Sequence, residues 1–124
     1  MNNPNKLKKI LIVDDEEGIR ESLKLVLEDH YELIVTASGE QALASLANNK
    51  TIGLVLLDIK MPKVNGLEVL KLIKDKFPEM KIVMVTGYRS VETAAEAARL
   101  GACGYIVKPF KTDEIRETVK KNLG

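Results

Sequence analysis

The chain has one cysteine, no long apolar run and almost no net charge. Its only cysteine, Cys103, excludes an internal disulfide framework and fits a reducing compartment. The apolar runs are far shorter than the ~20 residues that a helix needs to cross a bilayer. Nineteen basic and 18 acidic residues give a net charge of +1, which argues against non-specific binding to nucleic acid or anionic membranes. We therefore expect a cytoplasmic protein without a direct nucleic-acid or membrane partner.

What remains is the composition of an ordinary globular domain. The 124 residues are 45% hydrophobic and 30% charged. A chain of this length can bury about 65% of the surface that its unfolded form exposes. Internal repeats, linkers and low-complexity segments are absent from the sequence. We predict one domain over residues 1–124, with residues 1–5 as a loose polar tail that lacks the apolar core of a signal peptide.

Five short apolar or β-branched segments alternate with five segments of helical periodicity. The predicted strands cover residues 10–13, 33–37, 52–57, 81–85 and 104–107. The first helix is predicted to end near Asp29, and Ser38, Asn65 and Ser90 are predicted to begin the next three. This alternation predicts an α/β fold in which helices cover both faces of a doubly wound parallel sheet. Right-handed crossovers limit the arrangements, but the spacing leaves the strand order open.

Carboxylates follow two of the predicted strands directly. Asp58 comes after the apolar run at 54–57, and Asp14 and Asp15 come after the run at 10–13. The carboxyl ends of parallel strands meet at one edge of a sheet, where α/β proteins bind their ligands. Three carboxylates at one edge repel each other unless a cation is present. The sequence therefore predicts a cation site there, and Mg²⁺ is the hard cation that such oxygen ligands suit.

Two further polar residues follow the fourth and fifth predicted strands. Thr86 comes after the fourth strand and Lys108 after the fifth. A lysine ammonium and a hydroxyl can stabilise the equatorial oxygens of a phosphoryl group in transfer. A carboxylate such as Asp58 can act as the nucleophile and form an acyl phosphate. The carboxylates, Lys108 and Thr86 together therefore predict a phosphoryl-transfer site, and the choice of acceptor stays open at this point.

Each of these motifs has a simpler structural interpretation on its own. The acidic run at 14–17 suits the positive end of a helix dipole. Asp58 could form a turn, as could the Thr86–Gly87 pair. Tyr105 could pack on an edge strand. Only their combination with Lys108, each at a strand end, favours a site.

In this order and at these positions, the motifs closely resemble the response regulator receiver domain of two-component and phosphorelay signalling. The resemblance extends from Lys9 to Leu123. It implies a flavodoxin-like five-stranded sheet of order 2-1-3-4-5 with five helices. The motifs that carry it are Asp14–Asp15, Asp58, the Met61–Pro62 and Gly66 loop, Thr86–Gly87 and Lys108–Pro109–Phe110.

The resemblance also implies the role of each acid. Asp58 would accept a phosphoryl group from a phosphohistidine on a sensor histidine kinase or a histidine phosphotransferase. Asp15 and Asp58 would ligate Mg²⁺ together with the backbone carbonyl of Lys60. Asp14 would act largely through ordered water. The protein would thus be a signalling phosphoacceptor that catalyses only its own phosphorylation and dephosphorylation.

The remaining implied roles concern the transmission of the signal. Lys108 would bind the phosphoryl oxygens through its side chain and precede Pro109 by a cis peptide bond. Thr86 and Tyr105 would form a switch that changes the surface of the fourth helix, fifth strand and fifth helix. A downstream output protein or domain would be a further partner. The protein would be a monomer or a phosphorylation-dependent homodimer.

Two settings for such a domain stay open. The strings at 113–116 and 119–121, with Lys60 and Tyr88, most resemble the single-domain receivers of sporulation phosphorelays. The alternative is a receiver cut from a longer transcriptional regulator or hybrid kinase. Lys60 and Tyr88 are two residues beyond Asp58 and Thr86, and neither side chain is a good general base at neutral pH. We therefore predict slow autodephosphorylation.

Two other classes of protein share part of the pattern. Phosphohydrolases of the haloacid-dehalogenase type use an aspartate nucleophile but need a second acid two residues later, where this chain has Lys60. Flavodoxin-like mononucleotide binders hold phosphate in a hydroxyl-rich loop after the first strand. Here that loop is acidic and would repel phosphate without a metal. Both classes are therefore weaker alternatives.

Overall fold

The computed structural model describes residues 8–61 and 63–123 as strands and helices that alternate along the chain. Pro62 of the predicted loop and the predicted tail at 1–5 lie outside the described residues. The strands are β1 (Lys9–Val13), β2 (Glu32–Thr36), β3 (Ile52–Leu57), β4 (Lys81–Thr86) and β5 (Gly104–Val107). The helices are α1 (Glu17–Leu27), α2 (Gly39–Asn48), α3 (Gly66–Lys76), α4 (Val91–Arg99) and α5 (Thr112–Leu123).

The five strands form one parallel sheet in the order β2-β1-β3-β4-β5, which confirms the predicted fold class. In the centre of the sheet, Val13 is paired with Leu57 on one side and with Thr36 on the other. Towards the far edge, Thr86 is paired with Val107. All strands run in the same direction, so the residues that follow β1, β3, β4 and β5 lie at one edge.

The core consists of two apolar layers, one on each face of the sheet. Alternate residues of a strand point to opposite faces, so the continuous apolar runs of β1 and β3 serve both layers. One layer joins the sheet to α1 and α5 through Leu23, Leu27, Ile115 and Val119. The other joins it to α2, α3 and α4 through Ala42, Leu46, Val69, Leu70, Ile73 and Ala97. Each fully buried leucine or isoleucine contributes about 1.5–3 kcal/mol to the stability of the fold. The stable sheet holds the loops at its carboxyl edge in place.

The predicted helix starts are confirmed at three positions. Ser38, Asn65 and Ser90 are the N-cap residues of α2, α3 and α4, and their side chains accept hydrogen bonds from backbone N–H groups. These bonds satisfy donors that have no partner within the helix. After α4, Gly101 has a φ of 107°, the left-handed conformation that favours glycine.

One helix end differs from its prediction. α1 ends at Leu27 rather than near Asp29. The next residues form a turn in which the Tyr31 N–H donates to the Leu27 carbonyl, and Tyr31 is buried in the core beside α1. Cys103 is exposed, with its Sγ 3.2 Å from Asn122 Oδ1.

Within the described residues, no helix is both long enough and apolar enough to cross a membrane.

Candidate functional site

Asp14 and Asp58 lie side by side at the carboxyl edge of the sheet. The Asp58 N–H donates to the Val13 carbonyl at 3.0 Å, and the Asp14 N–H donates to the Thr36 carbonyl at 3.1 Å. These bonds extend the strand pairing one residue past β1 and β3. Both aspartates are only 2% exposed, although each carries a carboxyl group. Burial at this depth requires compensating partners.

Lys108 supplies that compensation. Its Nζ lies 2.8 Å from Asp14 Oδ2, 3.1 Å from Asp58 Oδ2 and 3.2 Å from Glu16 Oε1. Its backbone N–H donates to the Thr86 carbonyl at 2.8 Å, and the Lys108–Pro109 peptide bond is cis, as predicted. The lysine is therefore fixed at the end of β5 with its ammonium between the two buried aspartates.

Burial and charge act in opposite directions on these groups. Burial raises the pKa of Asp14, and the hydrogen bonds from Lys108 and from the Glu16 N–H oppose this only in part. Burial lowers the pKa of Lys108, but the hydrogen bond and charge of Asp14, together with the charge of Asp58, outweigh it. The pKa of Lys108 is raised to about 12. Lys108 is therefore a permanent cation near neutral pH.

The residues around Lys108 form an acidic group that suits a hard divalent cation. Asp14, Asp15, Glu16 and Asp58 each offer a carboxylate oxygen, and these oxygens lie within 4.8 Å of one another. Asp15 and Glu16 are exposed, whereas the other two are buried. Four carboxylates outnumber the single ammonium of Lys108, so the group retains excess negative charge. Oxygen ligands of this kind, partly open to water, fit Mg²⁺.

A cleft of about 350 Å³ opens over Asp58. The Lys60 N–H donates to Asp58 Oδ1 at 3.3 Å, so the backbone of Lys60 lies beside the carboxylate of Asp58. Both residues predicted to flank the acceptor, Lys60 and Tyr88, line this cleft. The other residues that line it are Glu16, Asp58, Gly87 and Lys108.

Thr86 and Tyr105 both contact the residue that follows Gly87. The side chain of Thr86 is fully buried, and its Oγ1 accepts from the Tyr88 N–H at 3.4 Å. The Tyr105 hydroxyl donates to the Tyr88 carbonyl at 2.9 Å. Burial, with a further contribution from the charge of Asp58, raises the pKa of Tyr105. Among the described residues, Gly87 rather than Thr86 lines the cleft.

Sequence reasoning missed the parts played by Glu16, Arg20 and Gly66. Glu16 was treated only as one acid of a helix start, but its side chain contacts Lys108. Arg20 Nη1 donates to the Asp14 carbonyl at 2.8 Å and so holds the loop between β1 and α1. A Cβ on Gly66 would lie 2.6 Å from the Ile59 Cα, so only glycine lets α3 begin against the loop of Asp58.

Comparisons with known proteins agree with this geometry. The family model for the response regulator receiver domain matches residues 10–120. Sporulation initiation phosphotransferase F of Bacillus subtilis is 40% identical over 116 residues, which are 93% of each chain. The alginate biosynthesis transcriptional regulatory protein AlgB of Pseudomonas aeruginosa is 36% identical over 115 residues. That alignment covers 93% of this chain but only 26% of AlgB.

Two solved structures are similar along nearly the whole chain. A CheY-like receiver domain protein of Methanospirillum hungatei has 40% identity and a TM-score of 0.88, with 94% of each chain covered. The response regulator TrrA of Thermotoga maritima, solved with Mg²⁺ and BeF, has 42% identity and a TM-score of 0.84. That comparison covers 94% of this chain and 99% of TrrA. The chain therefore belongs to the response regulator receiver domain family of two-component signalling.

Proposed function

We propose that Asp58 is the phosphoacceptor of this receiver domain. The observation that carries the proposal is the ammonium of Lys108, a residue that lines the cleft: it contacts both Asp14 Oδ2 and Asp58 Oδ2. A cation held beside one buried carboxylate is placed to attract a phosphoryl dianion to it. Asp58 is also the one aspartate of the acidic group that lines the cleft.

The proposed step transfers a phosphoryl group from a phosphohistidine. An Asp58 carboxylate oxygen attacks the phosphorus in line with the P–N bond. The new P–O bond forms as the P–N bond breaks, and the electron pair of that bond returns to the imidazole nitrogen of the donor. The product is an acyl phosphate on Asp58, with N–H groups of Lys108 and the Thr86 hydroxyl as donors to its oxygens.

The acidic group gives this step its metal requirement. Asp15, Asp58 and the Lys60 carbonyl would hold Mg²⁺ directly, and Asp14 would hold it through water. Bound there, Mg²⁺ neutralises negative charge on the carboxylates and on the phosphoryl oxygens. The role of the chain's own residues is to keep these oxygens convergent at one edge of the sheet.

We infer a sensor histidine kinase or a histidine phosphotransferase as the donor. The name of the Bacillus subtilis relative, a sporulation initiation phosphotransferase, supports a relay role. Two settings are therefore proposed. The relative that matches over 93% of its length supports a phosphorelay shuttle. The match to 26% of AlgB supports the receiver portion of a longer regulator. A single domain over residues 1–124, an output partner, and a monomer or phosphorylation-dependent homodimer remain predictions.

Acetyl phosphate with Mg²⁺ provides a direct test. The protein should gain one phosphoryl group that is stable in acid and labile in base, as an acyl phosphate is. Asp58→Asn should gain none, while Asp113→Asn, which removes an exposed acid at the start of α5, should behave as the parent. Equal phosphorylation of Asp58→Asn and the parent would show that another residue is the phosphoacceptor.

A further inference from the structure

Glu16 is the N-cap residue of α1, but its side chain does not cap the helix. A capping side chain, typically that of Ser, Thr, Asp or Asn, accepts a hydrogen bond from one of the first free N–H groups of its helix. Here the Glu16 N–H donates to Asp14 Oδ1 at 2.9 Å, which fixes the backbone. The carboxylate then reaches Lys108, 92 residues away in sequence. The side chain of Glu16 thus serves the site rather than the helix.

That contact completes the hydrogen bonding of Lys108. A lysine ammonium has three N–H donors. In this structure three carboxylates surround it, with Asp14 Oδ2 at 2.8 Å, Asp58 Oδ2 at 3.1 Å and Glu16 Oε1 at 3.2 Å. A phosphoryl group on Asp58 replaces the single contact of Asp58 Oδ2 with three charged oxygens that can accept from these donors. It therefore competes for Lys108 with the two other carboxylates, those of Asp14 and Glu16.

Exposure decides which carboxylate leaves. The side chain of Asp14 is 2% exposed, so the loss of Lys108 would leave its buried carboxylate uncompensated. The side chain of Glu16 is 62% exposed and regains water as soon as it moves away. Exposed ion pairs contribute little, and so they are the easiest to break.

We propose that Glu16 competes with the phosphoryl group for Lys108. In the resting protein Glu16 occupies the third donor of the ammonium, and phosphorylation displaces it into solvent. Glu16 thereby weakens the binding of phosphoryl oxygens and tunes how readily the site is filled. This inference rests on the proposed roles of Asp58 and Lys108. It predicts that loss of the Glu16 carboxylate strengthens the binding of phosphoryl oxygens, whereas loss of a residue that positions Lys108 or ligates the metal would weaken it.

The test titrates beryllofluoride, a phosphoryl mimic, into the full chain at saturating Mg²⁺ and follows binding by fluorine NMR or calorimetry. Glu16→Gln should bind beryllofluoride about two- to fivefold more tightly than the parent, the range expected for one exposed ion pair. Glu17→Gln is the matched control, because Glu17 is the next exposed acid on α1 and loses the same charge. It should bind as the parent does.

The outcomes separate the two proposals. No binding by the parent would contradict the proposed function itself. Binding by the parent with equal affinity in Glu16→Gln and Glu17→Gln would overturn the competition and leave the proposed function intact. Weaker binding in Glu16→Gln would also overturn it. A parallel titration with Mg²⁺ alone would then distinguish a metal ligand, whose loss weakens Mg²⁺ binding, from a residue that positions Lys108.

Discussion

The Tyr105 hydroxyl on β5 donates a hydrogen bond of 2.9 Å to the backbone carbonyl of Tyr88. On its other side, the Tyr88 N–H donates to the buried Oγ1 of Thr86. Both proposed switch residues thus bind the backbone of Tyr88, and Tyr88 also lines the cleft over Asp58. A movement of the Thr86 hydroxyl towards a phosphoryl group would break its contact with the Tyr88 N–H. The Tyr88 backbone could then shift, which would alter the hydrogen bond from Tyr105.

Thr86→Ala should therefore separate phosphorylation from its transmission. The variant keeps Asp58 and Lys108 and should still accept phosphate, but it loses the hydroxyl that responds to the phosphoryl group. Amide hydrogen exchange should change between residues 87 and 105 when the parent is phosphorylated, and much less in Thr86→Ala. Thr51→Ala, at an exposed turn, is the control and should respond as the parent does. A response confined to the Asp58 loop in the parent would contradict the switch.

Lys60 and Tyr88 should make the phosphoryl group long-lived. Hydrolysis needs a water in line with the phosphorus. Both side chains line the cleft, and Tyr88 is 43% exposed there, so both can restrict that water. Combining Lys60→Asn with Tyr88→Glu should speed decay of the purified phosphoprotein about tenfold, equivalent to ~1.4 kcal/mol of barrier.

Each of the two changes alone is the control for that double variant and should have a smaller effect. A double variant that decays no faster than the parent would show that neither side chain shields the phosphoryl group.

Gly66→Ala should disturb the acceptor through its backbone. The added Cβ would overlap the Asp58 carbonyl and lie 2.6 Å from the Ile59 Cα. Overpacking of this kind costs about 1–3 kcal/mol, and it should also slow phosphorylation. Gly18→Ala is the control, because nothing lies within 4 Å of its new Cβ. On α1 it should instead gain about 0.5–1 kcal/mol. Urea unfolding of both variants measures this, and equal stabilities would contradict the steric account.

Mg²⁺ should stabilise the folded protein. It binds the acidic group only when the carboxylates are brought together, so binding adds to the free energy of unfolding. At about ten times its dissociation constant the gain is about 1.4 kcal/mol, which raises the melting temperature by a few degrees. Asp15→Asn should abolish the increase, and Asp29→Asn, at an exposed turn, should keep it. If millimolar-range Mg²⁺, the scale of a weak site, leaves the melting temperature of the parent unchanged, the metal site is contradicted.

The sequence predicted those features that depend on local pattern. Apolar runs closed by a polar residue located β1 and β3 and the edge at which Asp14, Asp58 and Lys108 meet. The order of the strands did not follow from spacing, because right-handed crossovers allow several arrangements. It came from the family resemblance, and the structure confirms it.

What the sequence could not show depends on distance and close packing. Nothing in an acidic run indicates which member turns towards a lysine 92 residues later, so the contact of Glu16 was missed. Gly66 was noted as a loop residue, but its close approach to Ile59 is a property of the folded chain. The burial of Tyr31 in the turn after α1 has no periodic signal either, because it is one aromatic residue beside charged neighbours.

The most direct test of the account is the position of the phosphoryl group. The protein is phosphorylated with acetyl phosphate and Mg²⁺, and borohydride then reduces the acyl phosphate to homoserine. Peptide mass spectrometry should find homoserine at position 58 and at no other aspartate. Homoserine at Asp14 or Asp15, or its absence from a phosphorylated chain, would contradict Asp58 as the phosphoacceptor.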